Sequence, residues 1–187
     1  MGKDRIRIAT KEDAPAYLAL IQESFQEVKD LGIDWPSTNA TLESVTENIE
    51  TGIALVLERD DQLISTITIR QPWENNSPIS HYPFLWWFAT ANEFKGQGIG
   101  KKFLKQVEEE FLVKTLKAPA YVLGTSGKRH PWLLDMYLRN GYQVLGTRED
   151  PNDIGVSLYK VLIPERFDES VLRVEAPYYE YQDLTIY

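Results

Sequence analysis

An aromatic run of strand length, a turn with three glycines and an amphipathic helix follow one another directly between Pro83 and Phe111. The run Phe84-Leu-Trp-Trp-Phe-Ala89 has the composition of a buried strand. Ile99, Phe103, Val107 and Phe111 recur at i+4 steps and predict one apolar helix face. Between them lies Lys95-Gly96-Gln97-Gly98-Ile99-Gly100-Lys101-Lys102. Glycines at 96, 98 and 100 leave the backbone bare, so its N–H groups can approach a bulky anion. The same residues open a helix, whose first N–H groups lack internal partners and whose dipole favours negative charge. Lys95, Lys101, Lys102 and Lys105 add cationic charge there. The stretch predicts a phosphate cradle.

The kind of phosphate follows from spacing. A Walker loop needs glycine where Lys95 stands and a hydroxyl residue where Lys102 stands. The dinucleotide fingerprint counted from Gly96 fails at Lys101. Lys95-Gly96-Gln97-Gly98-Ile99-Gly100 instead resembles the acetyl-CoA signature of the GNAT acetyltransferases, Arg/Gln-x-x-Gly-x-Gly/Ala, with lysine as a conservative departure at the first position. A second family feature, a tyrosine shortly before Gly-Phe or Gly-Tyr, is matched by Tyr137-Leu138-Arg139-Asn140-Gly141-Tyr142.

The rest of the chain reads in the order β-α-α-β-β-β-α-β-α-β-β. Residues 5–9 alternate as a half-buried strand, and Thr10, Asp13 and Pro15 open a helix carrying Tyr17, Leu18, Ile21, Phe25 and Val28 on one face. It stops near Gly32, and a second helix runs from about Thr41 to Glu50. A hairpin over 53–58 and 63–70 and a Pro/Asn-rich loop over 72–81 lead to the aromatic strand. A strand over 121–125, a helix from about Pro131 to Asn140 and an antiparallel pair over 142–147 and 156–163 complete it. This is the GNAT order, and the resemblance covers roughly residues 5–163. It implies an α/β (α+β) acyl-CoA N-acyltransferase fold, with a mixed, mostly antiparallel central sheet flanked by helices. Residues 1–163 form the expected catalytic domain. The tail 164–187, with Tyr178, Tyr179, Tyr181 and Tyr187, is expected to pack on it or on a partner subunit.

At 187 residues and 43% hydrophobic content, the chain suits one domain with a real core. A net charge of −8 argues against nucleic-acid binding. No apolar run is long enough for a membrane span, and the first residues lack an apolar signal core. The absence of cysteine removes disulfides, thiolate metal sites and a cysteine nucleophile. A cytoplasmic protein without a metal is expected, and a homodimer is compatible with the family and the aromatic tail.

By resemblance the cofactor is acetyl-CoA. Backbone N–H groups of Gln97, Gly98, Ile99, Gly100 and Lys101 would bind the pyrophosphate, with Lys95 and Gly96 completing the cradle. Backbone groups of Phe88, Ala89 and Thr90 would pair with the pantetheine arm, which enters through a splay between this strand and the next. Tyr137 matches the family's general acid, a phenol aimed at the cofactor sulfur. With no cysteine, direct attack by the amine in a ternary complex is expected. The acceptor is a primary amine of a small molecule or peptide. A lysine-like amine is only about one part in a thousand neutral near pH 7, so a base or water chain helps. The strand before the cradle offers no carboxylate, which leaves Glu93, His81 and His130 as open alternatives for that role. Asp34, Trp35, Trp73 and Trp87 are candidate acceptor contacts, with Glu58 a further carboxylate; one of the adjacent tryptophans 86 and 87 is expected in the core, because successive strand residues face opposite sides. Three rival readings remain open at this point: an acyl-CoA sensor without turnover, acylation of a protein N-terminus or lysine, and binding of another nucleotide phosphate.

Overall fold

A computed structural model describes residues 3–74 and 78–173. Tyr178, Tyr179, Tyr181 and Tyr187 lie outside the described residues. The elements are β1 (Asp4–Ile8), α1 (Ala14–Asp30), α2 (Leu42–Thr51), β2 (Ile53–Arg59), β3 (Gln62–Arg70), β4 (Phe84–Thr90), α3 (Ile99–Gln106), β5 (Ala120–Ser126), α4 (Pro131–Arg139), β6 (Gln143–Glu149), β7 (Ile154–Val161) and the short α5 (Glu169–Leu172). They form one seven-stranded sheet in the order β1-β2-β3-β4-β5-β7-β6. Every neighbouring pair is antiparallel except β4 and β5. The sheet is therefore mixed and mostly antiparallel, with helices on both faces.

The two faces follow from strand alternation. On β2, Ala54 and Val56 pack with Tyr17, Leu20 and Ile21 of α1 and Val45 and Ile49 of α2. Leu55 and Leu57 turn the other way, toward Phe103 of α3 and Tyr137 of α4. A strand covered on both faces reads as a near-continuous apolar run, which is how β2 reads. A buried polar knot fixes α1 and α2 on the sheet. The Tyr17 and Thr68 hydroxyls lie 3.1 Å apart, Asn48 Nδ2 donates to Thr68 Oγ1 at 2.9 Å, and Trp86 Nε1 donates to Asn48 Oδ1 at 2.9 Å.

Two departures from simple periodicity shape the middle of the molecule. After Gln106 the helix widens to π geometry over Val107–Thr115, and the Leu116 N–H donates to the Phe111 carbonyl, five residues back, at 2.8 Å. The buried stripe consequently steps from Phe103 and Val107 to Leu112, and Phe111, expected on the stripe, is only partly buried. In β4, Thr66 faces Ala89 but Thr68 faces Trp86, so the strand carries a bulge. Trp87 sits at that bulge with φ +49°.

β4 and β5 share a single ladder pair, Phe84 opposite Val122, where the Val122 N–H donates to the Pro83 carbonyl at 2.9 Å. Past that point the strands form no further ladder pairs, which opens a splay in the centre of the sheet. At the other end, Leu172 of α5 is buried with Ile79, Tyr82, Phe84, Ala120, Val122 and Leu145. The Phe167 ring stacks on Tyr82 at 5.8 Å.

Candidate active site

The cradle joins β4 to α3. Gly96 and Gly98 both take φ +76°, a conformation that costs a side-chain-bearing residue about 1–2 kcal/mol, and the space where a Cβ would stand is open. Gly98 caps α3 in this left-handed conformation. Gly100 is bare for another reason: a Cβ there would stand 2.9 Å from Thr90 Oγ1 and 3.5 Å from Phe88 Cζ. The first turn of α3 is thus pressed against the end of β4.

A cavity of about 670 Å³ runs along this turn, from Phe88, Thr90 and Phe94 past Gly96, Gly98 and Gly100 to Tyr137 and Tyr142. Lys95, Ile99, Lys101, Lys105 and Lys160 also line it. An elongated, multiply phosphorylated cofactor fits this combination of bare backbone, an α3 N-terminus and lysines. Ala89 is buried, with its carbonyl accepting from Ser65 Oγ at 2.6 Å, and the Gln97 side chain donates to the Glu93 carbonyl at 2.9 Å. Neither lines the cavity, whereas Phe88, Thr90, Lys95, Gly96, Gly98, Ile99, Gly100 and Lys101 do.

The far wall holds residues that the sequence did not single out. Tyr121 donates to Glu108 Oε1 at 2.7 Å, Lys160 Nζ donates to the same oxygen at 2.7 Å, and the Tyr121 and Tyr142 hydroxyls are hydrogen-bonded. The ion pair sits beside the π-helical turn and places one compensated lysine in the wall. No local signal marks Lys160, because it comes from β7 and meets Glu108 only through the sheet.

Tyr137 on α4 is 9% exposed, packs edge-on against Tyr142 with ring centroids 4.9 Å apart, and also borders a second cavity. That narrow space, about 80 Å³, lies in the splay between Phe84–Phe88 of β4 and Leu123 and Gly124 of β5. Trp35, Trp86 and Trp87 close it. Trp86 and Trp87 reach the same space because the bulge overrides the alternation that would have separated them. Trp87 is nevertheless core, as expected of one of the pair, and its buried Nε1 has no hydrogen-bond partner. Burial alone raises the Tyr137 phenol to about 12.

Trp35 and Gly124 also line a third cavity, about 320 Å³ and more polar than the other two, beyond the splay. Asp34, Thr125, Arg129, Arg148, Asp150 and Asp153 face it. Arg129 ties its rims together: Nη1 donates to the Leu31 carbonyl at 2.6 Å and Nε to the Asn152 carbonyl at 2.8 Å. Gly32, at φ +73°, makes room, since a Cβ would stand 2.5 Å from Arg129 Nη1. The three cavities thus adjoin in series, with Tyr137 at the first junction and Trp35 at the second.

The remaining sequence-level candidates are scattered. Trp73 is 79% exposed and lines none of these cavities, because the short turn Pro72–Glu74 carries it outward. Glu58 is paired with Arg7 at 2.6 Å, and Glu93 accepts from Gln62 Nε2 at 2.6 Å. His81 is exposed. His130 precedes α4, is buried against Trp132 with Nδ1 unpartnered, and is held below its usual pKa chiefly by burial. It lines none of the three cavities.

A central splay beside a glycine cradle, with a tyrosine at the junction, defines a class of acyl-CoA-dependent N-acyltransferases. Comparison with known proteins specifies it. Residues 50–144 match the family model for the acetyltransferase (GNAT) domain. The chain is 57% identical over 172 residues to S-alkylcysteine N-acetyltransferase of Bacillus subtilis (strain 168), covering 92% of this chain and 97% of that protein. It is 39% identical over 153 residues to S-(2-succino)cysteine N-acetyltransferase of the same organism, covering 82% and 90% respectively. The crystal structure of the PaiA N-acetyltransferase of Thermoplasma acidophilum in complex with coenzyme A shares the fold, with a TM-score of 0.64 at 19% identity over 85% of this chain and 99% of that one. The chain belongs to the GNAT acetyltransferases. It is an enzyme, an acetyl-CoA-dependent N-acetyltransferase acting on a small-molecule amine. Among the described residues, no helix is long and apolar enough to cross a membrane.

Proposed function

We propose that the acceptor is the α-amine of an S-substituted cysteine. Two curated relatives carry this acceptor class in their names, and the series of three cavities joined through Tyr137 and Trp35 supports it. The aromatic wall of Trp35, Trp86 and Trp87 suits the soft, apolar arm of a thioether, and the polar chamber suits a zwitterion.

The cradle residues Lys95–Lys101 hold the pyrophosphate, and the end of β4 at Phe88–Thr90 orients the pantetheine arm. Acetyl-CoA supplies an activated acetyl thioester. The acceptor ammonium loses one proton to solvent, a C–N bond forms as the C–S bond breaks, and the nitrogen releases a second proton. Tyr137 stands where the departing thiolate needs a donor. Its pKa of about 12 makes full transfer to a thiolate near 8.5 unfavourable by roughly 3.5 powers of ten. The phenol therefore stabilises the thiolate by a hydrogen bond and keeps its proton, and the thiolate is protonated from solvent.

Residues 1–163 serve as the catalytic domain in this reading. The packing of Phe167 and Leu172 supports docking of the tail on that domain, and a homodimer in the cytoplasm is the setting we assign to it. Free-thiol release from acetyl-CoA, measured with S-methyl-L-cysteine against polyamines, aminoglycosides and short peptides, tests the acceptor. Turnover confined to the S-substituted cysteine is expected. Faster turnover of a polyamine or peptide overturns the reading.

A further inference from the structure

The chamber carries an exposed, uncommitted cation. Arg148, near the end of β6, makes no hydrogen bond or ion pair with any described residue, although it faces the same space as three carboxylates. Those carboxylates are engaged by neutral donors. Asp34 accepts from Asn39, Asp150 Oδ1 from the Asn152 and Asp153 N–H groups, and Asp153 Oδ1 from Ser126 Oγ and the Ile154 N–H. Gly155, opposite Arg148 in the β6–β7 ladder, contributes no side chain between Arg148 and the chamber.

We infer that Arg148 forms the subsite for the acceptor's α-carboxylate, with Arg129 as a positioning residue that holds the α1–α2 loop against the β6–β7 loop. The inference rests on the S-substituted cysteine reading and adds the group that decides specificity. A planar guanidinium matches a carboxylate with two parallel N–H donors. The chamber lining combines carboxylate side chains with two guanidinium groups, so it draws a zwitterion in one orientation, carboxylate outward and amine toward the splay and Tyr137. An acceptor whose carboxyl is an amide, as in any peptide N-terminus, leaves Arg148 without its counter-charge. The enzyme consequently acts on the free amino acid rather than on peptides or proteins.

The test compares S-methyl-L-cysteine, its carboxamide and S-methyl-L-cysteinylglycine with the wild type and with Arg148→Gln. Loss of a charge-assisted contact predicts a wild-type preference of about 10- to 100-fold in kcat/KM for the free acid over the amide. R148Q is expected to raise the acceptor KM by a similar factor, leave kcat and acetyl-CoA affinity within about twofold, and erase the acid-over-amide preference. Arg148→Lys is expected to restore part of it. Calorimetric titration of S-methyl-L-cysteine into the protein saturated with coenzyme A gives a readout independent of turnover and should show the same loss in R148Q. Equal use of acid and amide by the wild type, or a preference that survives R148Q, overturns the subsite while leaving the acceptor reading intact. No turnover of any of the three compounds overturns the acceptor reading itself, and this inference with it.

Discussion

The cleft along the glycine turn and the chamber beyond the splay are built in opposite ways. Most of the cleft comes from one stretch, Phe88 to Lys105, in which the strand end, cradle and helix start are neighbours along the chain. The chamber draws on the α1–α2 loop, β5, the loop before α4, β6 and the β6–β7 loop, from Gly32 to Ser157. A contiguous site is fixed by local backbone geometry, and substitution elsewhere leaves it largely alone. A distributed site exists only while separate loops are held in register. One member can change there without disturbing the cradle, so in the proposed reading acceptor choice varies over a constant cofactor site.

The sharpest break is at the cradle. Gly100→Trp drives an indole into Thr90 and Phe88, and Gly98→Trp fills the cavity side of the helix cap. Each is expected to weaken acetyl-CoA binding by more than about 100-fold, measured calorimetrically on protein whose circular dichroism is unchanged. Unchanged affinity in a folded variant removes the cradle from the site.

Next in size is the junction between the two regions. Tyr137→Phe deletes only the phenol oxygen from a side chain that is packed either way. It is expected to lower kcat about 100-fold and leave acetyl-CoA affinity within twofold. Equal kcat in the two proteins removes Tyr137 from the chemistry.

A smaller effect separates the halves most cleanly. Gly32→Ala puts a side chain at φ +73° and 2.5 Å from Arg129 Nη1. The backbone cost is about 1–2 kcal/mol, and Arg129 must release the Leu31 carbonyl. A rise of several-fold in acceptor KM with no change in acetyl-CoA affinity is expected. A matched loss of both affinities shows that the two regions are mechanically coupled.

The smallest effect appears only in alkali. Tyr17 and Tyr137 are each raised by burial to about 12, against about 10 in an unfolded chain. The folded state then holds those protons more tightly, so their contribution is complete below about pH 10 and is lost as pH climbs through 12. The Tm should be flat from pH 8 to about 10 and fall above it. Tyr17→Phe should flatten the fall. A Tm already declining steeply between pH 8 and 9 assigns the loss to other groups.

Much of this was legible in the chain. Strand alternation on β2, the capping signal at Thr10 and Asp13, the glycine stop at Gly32 and the cradle itself are short-range features, and the element order follows from them. The i+4 stripe of α3 was legible only to Val107, where the π turn moves burial from Phe111 to Leu112. Trp73 drew attention as a large aromatic in the right loop, but composition carries no direction, and the turn points it to solvent. Arg148 drew none, because an arginine near a strand end is ordinary until its neighbours are known.

The sequence by itself determined the fold family, the glycine turn at the start of α3 and the tyrosine that lines the same cavity, since each is written in residues within a few turns of one another. Tertiary structure decided the rest. Parting β4 from β5 beyond one ladder pair, bringing both tryptophans to the splay and setting Arg148 at the chamber wall depend on a bulge and on loops far apart in the chain. Local propensity has no term for such contacts; they arise from burying both faces of one sheet and satisfying the polar groups left at its centre.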